Sequence, residues 1–330
     1  MLKTLLVIFS LLSTLCQGAD RHVQDKITLS DLDNVIRHAS EYDKVREDRL
    51  DSCRTALTHS KTLEQKYLLY FTMRRTFDRY RTDSATFYAV KSLDAAKELG
   101  RQDYISASSL ALAKQYMTSG MSYDALATLN RVDRSALSEK SREELYLFYM
   151  SIYESLEGLG IDLSLKQYYS SKASVYKDSI ASQFPDNVVG KSERFLLEGD
   201  YKSALDVLLR KYGSLSPESP ENGPVAIAIA DIYLSIGWND AAKDYMIASA
   251  YSDIVNAKKE YVALRMLATM LYEDGDIKRA YSYLNKALDD ANFCKARLKV
   301  DALAPLISIV NESYIEAKKK DLKILYAGFG

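Results

Sequence analysis

Apolar and small residues fall along this chain at helical spacing, and they do so in units that repeat. Around Gly275 stand Ala268, Leu271, Ala280, Leu284 and Ala287, at offsets −7, −4, +5, +9 and +12. Around Gly237 the same offsets hold Ala230, Tyr233, Ala242, Met246 and Ser249. The two glycines are 38 residues apart, and Gly199, with Ala204 five residues on, precedes Gly237 by another 38. Gly120 and Ala125 open the series 79 residues before Gly199, which leaves room for one further unit between them. Small residues at fixed offsets let helices approach closely, and a glycine between two helices supplies the backbone turn that ends the first. Runs of β-branched residues alternating with polar ones are absent, so the pattern predicts helices throughout. Gly213 to Pro224, which contains three of the 5 prolines, is the one clear loop.

These offsets resemble the tetratricopeptide repeat, an antiparallel helix pair with a period of about 34 residues. The longer period here predicts an extra helical turn or longer connections. The expected architecture is an all-α, tetratricopeptide-like solenoid of about six helix pairs, with capping helices at both ends. Long helices are expected from Thr28 to about Tyr80, with Leu29, Leu32, Val35 and Ile36 on the apolar stripe and Thr28 or Ser30 as N-cap. The charge run Asp43, Lys44, Arg46, Glu47, Asp48 and Arg49 reads as a solvated helix face. Asp83, Ala85, Ala89 and Ala96 fit the second helix of a first repeat ending near Leu99 and Gly100. A tyrosine-rich unit between Leu145 and Ile180 fills the gap before Gly199, with Gly158 and Gly160 as its turn. From Asp301 a last helix runs through Leu303, Leu306, Ile307 and Val310 to Tyr314, followed by the basic patch Lys318, Lys319, Lys320 and Lys323.

The ends of the chain carry addressing information. Lys3, an apolar run from Leu5 to Leu12 and the small-residue site Cys16-Gln17-Gly18 read as a signal peptide cut after Gly18. A lipoprotein signal ending at Cys16 is the rival reading, and Leu15 stands where that signal wants a small residue. Seven apolar residues from Ile324 to Gly330 are too few to cross a bilayer, which takes about 20; they look like the opening of a span. The expected layout is therefore 1–18 signal peptide, 19–82 N-terminal helical region, 83–300 repeats, 301–323 terminal helix and basic linker, and 324–330 the start of a truncated span. After cleavage two cysteines remain, Cys53 and Cys294, far apart in sequence and expected as unpaired buried thiols.

Three stretches carry a more specific likeness. The first is Leu32-Asp33, Ile36, Tyr42, Arg46-Glu47 and Arg49-Leu50-Asp51-Ser52. The second is Asp83-Ser84-Ala85, Phe87-Tyr88 and Leu99-Gly100. The third runs Leu271-Tyr272-Glu273-Asp274-Gly275-Asp276-Ile277, then Arg279-Ala280-Tyr281, Asp290-Ala291-Asn292-Phe293 and Ala296-Arg297. Together they resemble a family of regulators common in Bacteroides-type bacteria. Its members comprise a signal peptide, periplasmic tetratricopeptide-like repeats, one membrane span, and a cytoplasmic coiled coil with a helix-turn-helix-like end. The resemblance implies the sensor half of a membrane-anchored regulator at the periplasmic face of the inner membrane. No full span or DNA-binding tail follows in this sequence, and the lysine cluster lies outside the expected span, against the usual cytoplasmic bias of positive charge. A coiled coil beyond residue 330 would favour homodimers. A soluble periplasmic protein or lipoprotein is the alternative location.

Candidate chemistry adds little to this picture. Lys and Arg number 44 against 45 Asp and Glu, for a net charge of −1, which gives no nucleic-acid surface on this portion. His22, His38 and His59 form no pair at metal-ligand spacing. There is no GxSxG, no HExxH and no phosphate-cradling glycine loop, so no enzyme, metal or cofactor is expected. The 25 tyrosines, against 9 Phe and the single Trp238, read as inter-helix packing ahead of a ligand platform. Superhelical repeats bind partners along their inner surface. In the tetratricopeptide register, fixed offsets from each glycine place on that surface Lys114, Glu193, Asp231, Arg265, Tyr272 and Glu273, among apolar neighbours such as Leu110, Met117, Ile227 and Leu234. This mixture suits a protein or peptide partner better than a small molecule. A secreted glycan-capture or assembly-scaffold protein of the helical-repeat kind is the alternative.

Overall fold

The computed structural model describes residues 26–327, apart from 160–161, 260–261 and 295–296. The expected signal peptide, His22, Gly160 and residues 328–330 lie outside the described residues. The described residues form fifteen α-helices, one short 3-10 turn and no strand. The helices are α1 Leu29–Arg37, α2 Ala39–His59, α3 Leu63–Phe77, α4 Thr82–Glu98, α5 Gln102–Thr118, α6 Ser122–Leu129, α7 Glu139–Leu159 and α8 Leu163–Gln183. They continue with α9 Val188–Leu197, α10 Tyr201–Gly213, α11 Asn222–Ser235, α12 Asn239–Val255, α13 Val262–Glu273, α14 Ile277–Phe293 and α15 Arg297–Ala327. From α3 to α14 they pack as six successive pairs.

Local chemistry fixes the ends of the helices. Thr28 and Asp31 form a reciprocal capping box at the start of α1, and Thr62 and Gln65 do the same for α3, so each closes two orphan donors. At the other end, Gly120, Gly199, Gly237 and Gly275 adopt φ of 77, 73, 80 and 83°. The residue after each glycine donates its N–H to the carbonyl five residues back: Met121 to Tyr116, Asp200 to Phe195, Trp238 to Tyr233 and Asp276 to Leu271, each at 2.8 Å. This is the Schellman closure, which needs a left-handed residue at the glycine. The small residues do what their spacing predicts: Ala125, Ala204, Ala242 and Ala280 are each 0 % exposed. They lie where the second helix of a pair meets the first.

Two details depart from the sequence reading. Gly158 lies inside α7 and is exposed with open space around it, so it does not make the turn of that unit. The breaker-rich loop is short, running from 214 to 221, and it is tied down. Ser252 donates to the Ser219 carbonyl at 2.9 Å, Asn256 to that of Glu218 at 2.8 Å and Lys258 to that of Pro220 at 2.7 Å. The tyrosines of the degenerate unit pack α7 on α8: Tyr149 stacks on Tyr176 at 4.6 Å, and Tyr153 lies 5.9 Å from the same ring.

The N-terminal arm was expected to cap the first repeat, and part of it goes much further. Leu32 and Val35 of α1 are buried in the same cluster as residues of α10 to α15, because α1 packs on α12. The Asp33 carboxylate accepts from Tyr283 Oη at 2.7 Å and pairs with Arg279 Nε at 2.9 Å, both on α14. On α2, Arg46 donates to the Ala257 carbonyl at 2.7 Å and Asp43 pairs with Lys259 at 2.6 Å. Lys259 N–H in turn donates to the Arg79 carbonyl at 2.7 Å, and Thr82 N–H to that of Cys294 at 3.3 Å. The first pair therefore touches the fifth and sixth, and the superhelix closes on itself. Cys53 is half-buried, and the buried Cys294 thiol donates to the Tyr80 carbonyl at 3.0 Å.

The terminal helix α15 runs unbroken for 31 residues through the basic patch. Leu303 and Val310 seat it in the core, and Tyr314 stacks on Tyr281 at 3.9 Å. Among the described residues no helix is long and apolar enough to cross a membrane.

Candidate functional site

The first helices of the first three pairs, α3, α5 and α7, line a cleft of about 530 Å³. Helix α3 supplies Phe71, Arg74 and Arg75, and Asp78 follows at its end. Helix α5 supplies Ala107, Leu110, Ala111 and Lys114, while α7 and its cap supply Ser138, Lys140, Ser141, Glu144 and Phe148. Spacing puts them there: Arg74 and Asp78, like Leu110 and Lys114, are four residues apart and so share a helical face. Four cations meet two carboxylates in this space, on walls partly aromatic and aliphatic.

The charges are unevenly satisfied. Lys114 Nζ lies 2.8 Å from Asp78 Oδ2, and Gln115 donates to Asp78 Oδ1 at 3.4 Å. Burial pushes the Asp78 carboxyl up, but the Lys114 ion pair and the Arg74 charge outweigh it and leave the group below its ordinary value. Arg74 is only 7 % exposed. Its guanidinium lies over the Phe71 ring at 5.2 Å, and its Nε has no hydrogen-bond partner. Burial lowers its pKa, with Asp78 acting against that shift. Ser138 caps α7, accepting from Ser141 N–H at 3.2 Å, so the positive end of that helix dipole reaches the cleft rim.

Of the residues chosen from the sequence, Lys114 belongs to this cleft and the other five do not. Glu193, on α9, is held by Lys177 at 3.1 Å, which also binds Glu154 at 2.8 Å. Asp231, on α11, is exposed and has no ion pair among the described residues, yet surrounding protein raises its pKa by desolvation. Arg265, on α13, is half-buried with an unpartnered Nε. Tyr272 is joined to Ser313 of α15 at 3.2 Å, while Glu273 is exposed at the end of α13. Arg74 and Arg75 escape a register built on turn glycines, because Arg79, at φ 54°, stands in the left-handed position between α3 and α4; Lys140 lies on α7, whose unit has no glycine turn among the described residues. The Arg-Arg pair four residues before an aspartate was the available signal. Trp238 stacks on Tyr233 at 5.8 Å and packs against the main core, which leaves no exposed indole platform for a sugar. Among the described residues no three His, Cys, Asp or Glu side chains gather at a metal-binding spacing.

An array of successive helix pairs with a cleft on its first helices defines a tetratricopeptide-type interaction domain. Residues 36–303 match the family described as the SusR N-terminal TPR domain, and the chain belongs to that family. It is similar in fold to a chain of the APC/C hetero-tetramer Cut9-Hcn1, at 14 % identity and a TM-score of 0.40, over 83 % of this chain and 48 % of the other. It therefore spans about half the length of that chain. A second likeness is to the TPR2AB domain of yeast Sti1, solved in complex with pHSP90, at 12 % identity and a TM-score of 0.30, over 85 % of this chain and 100 % of that one. No curated protein matches the sequence.

Proposed function

We propose that this chain is the periplasmic, partner-binding sensor region of a membrane-anchored signal-transduction or transcriptional regulator, and that it takes a protein or peptide on the surface formed by its first helices. The observation that carries this reading is the α3–α5–α7 cleft: a mixed charged and apolar channel on a repeat scaffold, of the kind that suits an extended chain. Family membership supports the interaction role. The apolar run from Leu5 to Leu12 and the small-residue site Cys16-Gln17-Gly18, read as an export signal, support the location.

The test has two arms. A C-terminal tag at the native locus, read by fractionation and by protease access from the periplasm, is expected to show membrane association with exposed repeats. Release of the whole protein as a soluble periplasmic species removes the anchored reading. A photo-crosslinking side chain at position 148, in the cleft, is expected to capture a partner that one at position 168, on the exposed face of α8, does not. If K114A, D231A and R265A all leave every partner interaction intact, binding along the first helices is wrong.

A further inference from the structure

Helices α7 and α8 are 21 residues each, while their neighbours α6 and α9 have 8 and 10. The mismatch leaves part of α8 without cover. Gly190 of α9 packs against Ile180 of α8, and Glu193 pairs with Lys177 at 3.1 Å. Continuing that register sets Leu197, the last residue of α9, opposite Ala173. Leu163 to Lys172 therefore run on past α9 for about 15 Å, and residues 162–168 are all exposed. The uncovered side is not a polar face. Leu165, Tyr168, Lys172 and Val175 follow one another at spacings of three, four and three, which are the a and d positions of a coiled-coil seam. Leu165, Tyr168 and Val175 are 47, 52 and 57 % exposed, and the Lys172 ammonium lies over the Tyr168 ring at 5.5 Å.

We propose that this seam of α8 is a self-association surface, on which a second copy of the chain packs its own α8 antiparallel. Charge selects that arrangement. In a parallel pair Lys172 would meet its counterpart in register, ammonium against ammonium. In an antiparallel pair centred on the seam, each Lys172 reaches the partner's Tyr168 and each Leu165 the partner's Val175. Cation then meets ring face, and branched chain meets branched chain. A lipid surface fits less well. Ser164 donates its hydroxyl at 2.7 Å and its N–H at 3.0 Å to Asp162, which keeps that carboxylate charged at the projecting start of the helix, and a charge enters hydrocarbon at high cost. A seam of three turns is smaller than a stable interface needs, so the association is weak, with a Kd of about 10–100 µM.

The experiment is sedimentation velocity on the whole protein from about 5 to 300 µM, a range that brackets this Kd. The weight-average mass is expected to rise toward two chains. Y168E combined with V175E, both at exposed positions, should abolish the rise with helix content unchanged by circular dichroism. K172L should tighten association about fivefold or more, because a polar residue in a seam fixes orientation at a cost in stability. Oxidative cross-linking reads the orientation, with the parent protein and its own cysteines as background. L165C mixed with V175C should give a linked pair that neither variant gives alone. L165C linking to itself marks a parallel pair and overturns the arrangement. So does a single-chain mass at every concentration, a rise that Y168E/V175E leaves intact, or lipid-vesicle binding lost in Y168E/V175E without any self-association. A photo-crosslinking side chain at position 168 should link the chain to itself, and one at position 148 to the cleft's partner, so either reading can fail alone.

Discussion

At the scale of single residues, the chain separates positions that make the fold from positions that the fold tolerates at a cost. Gly237 is of the first kind: at φ 80° its missing side chain would meet open space, so only the backbone conformation matters there. Gly237→Ala should cost about 1–2 kcal/mol in urea unfolding, with helix content unchanged by circular dichroism. Asp78 and Asp231 are opposite cases. The folded pKa of Asp78 is lowered, so the group stabilises the fold above the ordinary carboxylate value of about 4 and loses that effect as pH falls through its lowered value. The stability gap between the parent protein and D78N should be widest near neutrality and close on acidification; a gap independent of pH would refute the role given to Lys114. For Asp231, exposed though it is, desolvation by the surrounding protein raises the folded value, so ionisation at neutral pH opposes folding. Asp231→Asn should raise the urea midpoint at pH 7, and the gain should fade in acid as the parent carboxyl becomes protonated. A stabilising change that also weakens partner binding would mark Asp231 as a residue kept for recognition.

At the scale of elements, the helix pairs were legible because each is specified within about 38 residues. In four of the six pairs a glycine sets the turn and an alanine five residues later lets the helices close, and both signals are local. The docking of α1 was not legible in this way. Asp33 is 246 residues from Arg279 and 250 from Tyr283, and no periodic pattern links one aspartate to one distant arginine. The same holds for the cleft: Lys114 was found because its register follows from Gly120, and Arg74 was missed because Arg79 replaces the glycine. Tyr283 is fully buried, and its hydroxyl is pushed well above the usual phenol range by burial and by its bond to Asp33. Asp33→Ala takes away that acceptor and should cost about 1–3 kcal/mol. Hydrogen exchange should show the loss concentrated in residues 29–37, with α3 to α8 keeping their protection. Uniform loss across the chain would mean that α1 has no separate docking equilibrium.

At the scale of the whole molecule, these contacts turn an open superhelix into a closed one, and the closure has an identifiable centre. Arg79 and Ala257, the two non-glycine residues with positive φ among the described residues, both lie there, where surrounding contacts hold backbone that would otherwise relax. Between them Lys259, 5 % exposed, reaches Asp43 of the N-terminal arm at 2.6 Å and the buried Asp290 of α14 at 3.3 Å. It also lies 5.8 Å from the Tyr80 ring and 5.4 Å from that of Phe293. Repeat arrays draw most of their stability from nearest neighbours, so a contact between the first and the last pairs adds shape more than it adds folding. Lys259→Met removes one partner from this buried cluster. Breaking such a pair costs about 3–5 kcal/mol, and the lower figure is expected because Lys286 still engages Asp290 at 2.6 Å. Combined with Asp33→Ala, it should open the superhelix: small-angle scattering should show a larger radius of gyration at unchanged helix content, and proteolysis should begin between α2 and α3. If the double variant is less stable but scatters as the parent does, the repeats hold their curvature by themselves and the arm is a passenger. If it opens, the α3–α5–α7 cleft sits on the movable half of a clasp, and a partner bound there is placed to shift the balance between the two states.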